Sequence, residues 1–199
     1  MKKSSMNLPN TLSLLRCALV PVFVVTLFLM REIPLWGRIV PAIVYLITGL
    51  TDMLDGKIAR KYNLITDFGK FIDPLADKFM VFGALLALLV EYNYLANYLV
   101  WVAAAVMLRE LAVTSIRLVV AGNQGIVVAA SMFGKVKTVI QIIAIVAIIV
   151  EPILLDPISL YDKGLYVISY LAMAAMATVT VLSGIDYLKS YWKYIDIDK

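Results

Sequence analysis

The chain has 199 residues, 62% of them hydrophobic, with a mean hydropathy of +0.90 and a formal net charge of +4. A soluble domain is about 45–50% apolar, so this is the composition of an integral membrane protein. There is no histidine and one cysteine, Cys17, which excludes a His base or metal ligand, a Ser-His-Asp triad, a thiolate zinc site and an internal disulfide.

A membrane-spanning helix needs roughly 20 apolar residues. The hydrophobic runs predict six spans, near 10–30, 35–61, 71–90, 95–120, 132–150 and 163–188. They fill the chain, so a single membrane domain over 1–199 is expected, as an all-α, six-helix bundle. Lys2 and Lys3 precede an apolar stretch, as in a signal peptide. Arg16 interrupts that stretch, and it ends in Arg31-Glu32 without a small-x-small cleavage site, so an uncleaved first span is the better reading. A short polar segment before Pro9 and Asn10 is expected to lie on the membrane surface. Pro34 and Pro41 sit near the start of the second span, where proline is tolerated. Asp73-Pro74 reads as a helix N-cap followed by proline at the first helical position. Asn123-Gln124-Gly125 and Glu151-Pro152 are expected to break the later helices.

Six spans put both termini on one side. Of the 18 lysines and arginines, only Arg31, Arg38 and Lys163 then fall on the opposite side. The bias places both termini in the cytoplasm, in a multi-pass protein of the cell membrane. The net positive charge fits anionic lipid headgroups, and no nucleic-acid partner is expected. Polar residues within the spans gather at the cytoplasmic ends, while the outer halves read as nearly pure hydrocarbon. Such helices can enclose a polar, cytoplasm-facing cavity, where intramembrane charge is tolerated.

Four aspartates stand out in this setting: Asp52 and Asp55, then Asp73 and Asp77. Carboxylates three or four residues apart share one helix face, so the pairs are expected on two facing helical surfaces. An ionised carboxylate costs roughly 2.5–3.5 kcal/mol at membrane depth. Divalent cations offset that cost, and Mg²⁺ or Mn²⁺ hold phosphorylated substrates through one or two carboxylates. The pattern therefore reads as a metal-dependent site for a phosphorylated substrate at a membrane.

The full string is Asp52-x2-Asp55-Gly56-x2-Ala59-Arg60-x8-Gly69-x3-Asp73-x3-Asp77. It resembles the signature of the CDP-alcohol phosphotransferases at every fixed position. That resemblance implies a ligand set of Asp52, Asp55 and Asp73, joined by Asp77, around two divalent ions. Asp77 is the candidate general base, since the attacking alcohol must lose a proton. A purely metal-ligating role is its alternative. Gly56 and Ala59 would let the nucleotide approach the helix closely, with helix packing as the alternative. Arg60 suits a bidentate phosphate contact, or an interfacial snorkelling cation. Gly69 opens the approach to the third helix, or serves a simple loop. Asn10 is expected at the same CDP-diacylglycerol site, with Asp52.

Acceptor choice must be read elsewhere. Arg109, Glu110, Thr114 and Arg117, followed by Ser131, Gly134, Lys135, Lys137, Thr138 and Gln141, resemble the branch of the family whose acceptor is glycerol 3-phosphate. So does the stretch from Asn7 to Arg16. Arg109, Thr114, Arg117, Lys135 and Lys137 form a cationic cluster suited to a phosphate dianion. Positive-inside anchoring is the competing explanation, and it fits Lys137 best. The resemblance implies transfer of the phosphatidyl group of CDP-diacylglycerol to glycerol 3-phosphate, with release of CMP. It also implies a homodimer. Inositol phosphate remains an alternative acceptor. A carboxylate-lined ion transporter is a more distant alternative, against which stand apolar outer halves and the lack of an inverted repeat.

Overall fold

The computed structural model describes residues 8–61, 66–124, 132–155 and 165–192; the side chains of 8, 52–61, 67, 70 and 121–124 lie outside that description. Among the described residues the structure is all-helical: α1 (Leu8–Leu29), α2 (Trp36–Lys61), α3 (Asp67–Glu91), α4 (Ala96–Gln124), α5 (Met132–Leu155) and α6 (Val167–Tyr191). A single 3₁₀ turn, Asn93–Leu95, joins α3 to α4. The segments Pro9–Leu29, Asn93–Val120, Met132–Leu155 and Val167–Tyr191 are long and apolar enough to cross a membrane, and Trp36–Thr51 is a shorter apolar stretch. The expected N-terminal surface segment lies outside the described residues.

Packing closes the helices into a ring. α1 contacts α2 and α3, α3 contacts α4, α4 contacts α6, α6 contacts α5, and α5 returns to α2. Buried Val20, Phe23, Tyr45, Leu85, Leu88, Val106, Ile145, Ile148 and Met176 fill the middle. Small residues set the closest approaches, as is usual where helices pack in lipid. A methyl group on Gly83 of α3 would lie 2.7 Å from Val20 Cγ1 of α1.

Hydrogen bonds fix the helix directions. Asn10 at the start of α1 donates from Nδ2 to Thr66 Oγ1, just before α3, at 2.9 Å. At the other end, Arg38 near the start of α2 donates to Glu91, the last residue of α3, at 2.8 Å. α1 and α3 therefore begin at one end of the bundle, and α2 finishes there, carrying its Asp52–Arg60 stretch with it.

Two local expectations are corrected. Asp73 is not an N-cap: α3 starts six residues earlier, at Asp67. Thr66 is the cap, with extended backbone (φ −122°, ψ 159°) and a side-chain oxygen that accepts from Gly69 N at 3.0 Å. An N-cap hydroxyl satisfying an otherwise unpaired N–H outcompetes a signal read from proline alone. Pro74 lies inside the helix. Likewise Glu151-Pro152 does not end α5, which continues to Leu155.

The far end is also less purely hydrocarbon than the sequence suggests. Glu151 is fully buried there and accepts from Ile168 N at 2.7 Å, from Ser169 N at 3.0 Å, and from the Ser169 hydroxyl. A carboxylate from α5 thus caps the first turn of α6, where it also complements the helix dipole. Removing it leaves donors unsatisfied, at roughly 1–3 kcal/mol each. Glu151→Ala should therefore lower stability by about 2 kcal/mol or more in detergent, and Glu151→Gln by less. An unchanged thermal midpoint for Glu151→Ala would rule out this capping role.

Candidate active site

One end of the ring opens into a cavity of about 440 Å³ between α3, α4, α5 and α6. Asp73 and Asp77 line it from α3, and Arg109, Glu110, Thr114 and Arg117 from α4. Gly134, Lys135, Lys137 and Thr138 come from the first turns of α5, and Tyr187 from the last turn of α6. Two aspartates and the whole predicted cationic cluster, far apart in sequence, share one cavity.

The aspartates are one helical turn apart, so both carboxylates project from the same face of α3. The Ser13 hydroxyl of α1 donates to Asp73 Oδ1 at 2.5 Å, which fixes that carboxylate from the neighbouring helix. Asp52 and Asp55 lie in α2, with side chains outside the described residues, as do those of Gly56, Ala59 and Arg60. Among the described residues no three acidic, His or Cys side chains form a metal cage by themselves. The hard carboxylate oxygens of Asp73 and Asp77, facing a hydrated cavity, are nonetheless of the kind that Mg²⁺ and Mn²⁺ prefer.

Asn10 and Gly69 sit beside this floor rather than in its lining. Thr66 Oγ1 and the Asn10 amide exchange hydrogen bonds of 2.9 and 3.1 Å. A methyl group on Gly69 would meet Asn10 Oδ1 at 2.7 Å. Gly69 is therefore small so that α1 can clasp the first turn of α3. That contact sets the height from which Asp73 and Asp77 project.

The cations differ in their surroundings. Glu110 accepts from Arg109 Nη1 at 3.1 Å and forms a second, very close ion pair with Lys137 Nζ. All three are nearly buried, with side-chain exposures of 10% for Arg109, 9% for Glu110 and 5% for Lys137. Lys137 is thus neutralised within the protein, whereas Lys135 on the same turn is exposed toward the cavity. The Thr114 hydroxyl donates to the Glu110 carbonyl at 2.8 Å, leaving its oxygen as an acceptor. Among the described residues, Arg109 Nε and Nη2 and Arg117 Nε are buried without a hydrogen-bond partner. A buried N–H without an acceptor costs roughly 1–3 kcal/mol, more on a charged group. An anion entering the cavity supplies the missing acceptors.

Tyr187 was not singled out in the sequence. It is 1% exposed, accepts a hydrogen bond from Arg117 Nη2, and places its ring 5.3 Å from Arg109 Cζ and 5.0 Å from Arg117 Cζ. The only sequence signal was its place among Ser183 and Asp186 at the polar end of α6. Among the described residues the charge of the cavity lining is unbalanced as well. Lys78, Arg109, Arg117, Lys135 and Lys137 face only Asp73, Asp77 and Glu110 among the lining residues.

A family model described as CDP-alcohol phosphatidyltransferase matches residues 6–184. The chain is 39% identical over 199 residues to the CDP-diacylglycerol--glycerol-3-phosphate 3-phosphatidyltransferase of Bacillus subtilis strain 168, covering 94% of this chain and 96% of the relative. An enzyme of the same name from Yersinia enterocolitica is 33% identical over 190 residues, covering 94% and 96%. A probable phosphatidylglycerophosphate synthase of Mycobacterium tuberculosis H37Rv is 37% identical over 182 residues, covering 92% and 80%. With its aspartate signature, its helical membrane bundle and this span of similarity, the chain belongs to the CDP-alcohol phosphatidyltransferase family.

Proposed function

We propose that this membrane enzyme transfers the phosphatidyl group of CDP-diacylglycerol to glycerol 3-phosphate, giving phosphatidylglycerol phosphate and CMP. The relatives of that name, matched along nearly their whole length, support the reaction. The observation that carries it is the sharing of one cavity by Asp73, Asp77 and a cluster of cations with unmet donors.

Asp52, Asp55, Asp73 and Asp77 would hold two divalent ions, Mg²⁺ or Mn²⁺. Bound there, such ions neutralise the diphosphate and stabilise charge on the leaving oxygen. Asp77 accepts the proton of the acceptor hydroxyl as its oxygen attacks the phosphorus bearing the diacylglycerol. The bond from that phosphorus to the bridging oxygen breaks, and CMP leaves. Ser13 keeps the Asp73 carboxylate oriented, and Asn10 and Gly69 fix the start of α3 beneath the donor. Arg60 contacts the diphosphate, while Gly56 and Ala59 leave room for the nucleotide. Arg109, Arg117 and Lys135, with the Thr114 oxygen nearby, hold the acceptor phosphate. Lys137 supports this group through Glu110.

All six helices act as spans of one membrane domain, with the cavity and both termini on the cytoplasmic side of the cell membrane. The lysine and arginine bias supports this orientation, and a water-soluble phosphorylated acceptor is at hand there. A homodimer is the expected assembly for the family resemblance.

The direct test is purified protein with CDP-diacylglycerol and a panel of alcohols, scoring CMP release and lipid product. Glycerol 3-phosphate should be the best acceptor, and glycerol and inositol phosphate poor ones. Preference for inositol phosphate would reassign the acceptor while leaving the reaction type intact.

Chelation with EDTA and Asp73→Ala should each abolish turnover, and Asp77→Asn should lower kcat by about 10²-fold or more with the donor still bound. Near-normal rates for Asp77→Asn would remove it as the base. Replacing Arg109, Arg117 or Lys135 with alanine should raise the acceptor KM by about 10- to 100-fold, the worth of one charged hydrogen bond. An effect on donor KM instead would assign the cluster to the diphosphate. Lys137→Met should behave differently, because it removes one of the two cations that compensate the buried Glu110 and leaves Arg109 alone. The buried Glu110 then keeps one cation in place of two, so the thermal midpoint should fall below that of Lys135→Met. Equal midpoints for the two variants would refute the supporting role of Lys137.

A further inference from the structure

Arg109 and Arg117 are eight residues apart on α4, so their backbones are separated by about 12 Å along the helix axis. Their guanidinium carbons nevertheless approach one aromatic ring, at 5.3 and 5.0 Å from its centroid. Each arginine leans along the helix toward Tyr187, so two like charges share one ring. Glu110 offsets this on one side only, through Arg109 Nη1. Beside Arg117, Tyr187 contributes both the electron-rich ring and the hydroxyl that accepts from Nη2. Cations within about 6 Å of an aromatic centroid are held by its quadrupole. Among the described residues, Arg109 Nε and Nη2 and Arg117 Nε are buried without acceptors.

We propose that Tyr187 is a positioning residue that sets acceptor specificity: its ring holds Arg109 and Arg117 as a converged clamp for the phosphomonoester of the acceptor. This rests on the reading of the cationic cluster as the acceptor site. Tyr187 is assigned no contact with the reacting hydroxyl or the diphosphate. It acts through the two arginines, keeping them directed at one point in the absence of substrate, so that little ordering remains to be done when the phosphate binds.

The test compares wild type with Y187F and Y187L in steady-state kinetics, varying each substrate in turn, with R109A and R117A assayed alongside. Y187L should raise the KM for glycerol 3-phosphate about 10-fold, while kcat falls by less than KM rises and donor KM stays within about twofold. Y187F keeps the ring and loses one hydrogen bond, so its acceptor KM should rise only about threefold. Inorganic phosphate competing with the acceptor should weaken by the same factors, which loss of packing alone would not produce. An unchanged acceptor KM in Y187L, or an equal rise for donor and acceptor, overturns the proposal. If R109A and R117A raise donor KM instead, the acceptor reading of the cluster fails and this inference with it. If they raise acceptor KM and Y187L does not, only the role of Tyr187 fails. Should Y187L not fold, Y187F decides: a threefold rise specific to the acceptor supports the clamp, and no change overturns it.

Discussion

The carboxylate of Glu110, shared between Arg109 of its own helix and Lys137 of α5, is the interaction on which the cavity depends. Three charges this deeply buried are tolerated only when paired, because an isolated ion at such depth costs several kcal/mol. The pairing draws the start of α5 toward α4. It also leaves Lys135, two residues from Lys137, directed to open space rather than to an internal partner. A structural ion pair thus determines which cations of the cluster remain available to a ligand.

The ring order explains how residues scattered along the sequence meet. α3 touches α4 directly, while α5 packs against α6 and α2 and its first turns meet α4 through the Lys137–Glu110 pair. The two aspartates therefore face the arginines across one helix boundary, with the lysines of α5 opposite. Ser13 and Asn10 belong to α1, outside the cavity, and act on it by holding α3. The arrangement separates rigid support, provided by α1 and the buried pair, from the groups that meet solvent. Charged donors held ready for an anion cost less reorganisation when it arrives.

Much of this was legible in the sequence because charge in a hydrophobic chain is costly and its positions are therefore informative. The helices were visible as apolar runs, and the Asp73–Asp77 spacing placed both carboxylates on one face. The cluster of Arg109, Arg117 and Lys135 was legible from residue type alone. What was not legible depended on local competition or on contacts across the fold. Thr66 displaced Asp73 as the cap of α3 because the helix begins at Asp67, where the Thr66 hydroxyl takes up the Gly69 N–H. Glu151 looked like a helix break beside Pro152, yet it serves the next helix. The sequence set Lys137 apart from Lys135 only as the better candidate for positive-inside anchoring; the position of Glu110 shows it as a buried ion-pair partner instead. Tyr187 is one tyrosine among 11, and nothing in its neighbours announces two arginines leaning toward it.

The salt bridge between Arg38 and Glu91 has a bearing on how the chain enters the bilayer. Its 2.8 Å contact joins the beginning of α2 to the end of α3, at the end opposite the cavity. The other described arginine near that end, Arg31, is bonded to Glu32 at 3.0 Å. With the cavity end retained in the cytoplasm, as proposed, these two arginines are the described cations that must be carried through the hydrocarbon layer. A cation that travels with its counter-ion avoids much of the cost of moving a lone charge to the bilayer centre. The cavity end has the opposite character, because its described cations outnumber its described carboxylates, and such a surplus resists translocation. The same imbalance that prepares the site for an anion would then also act as a ratchet on topology, holding the catalytic end on the side where the chain was made.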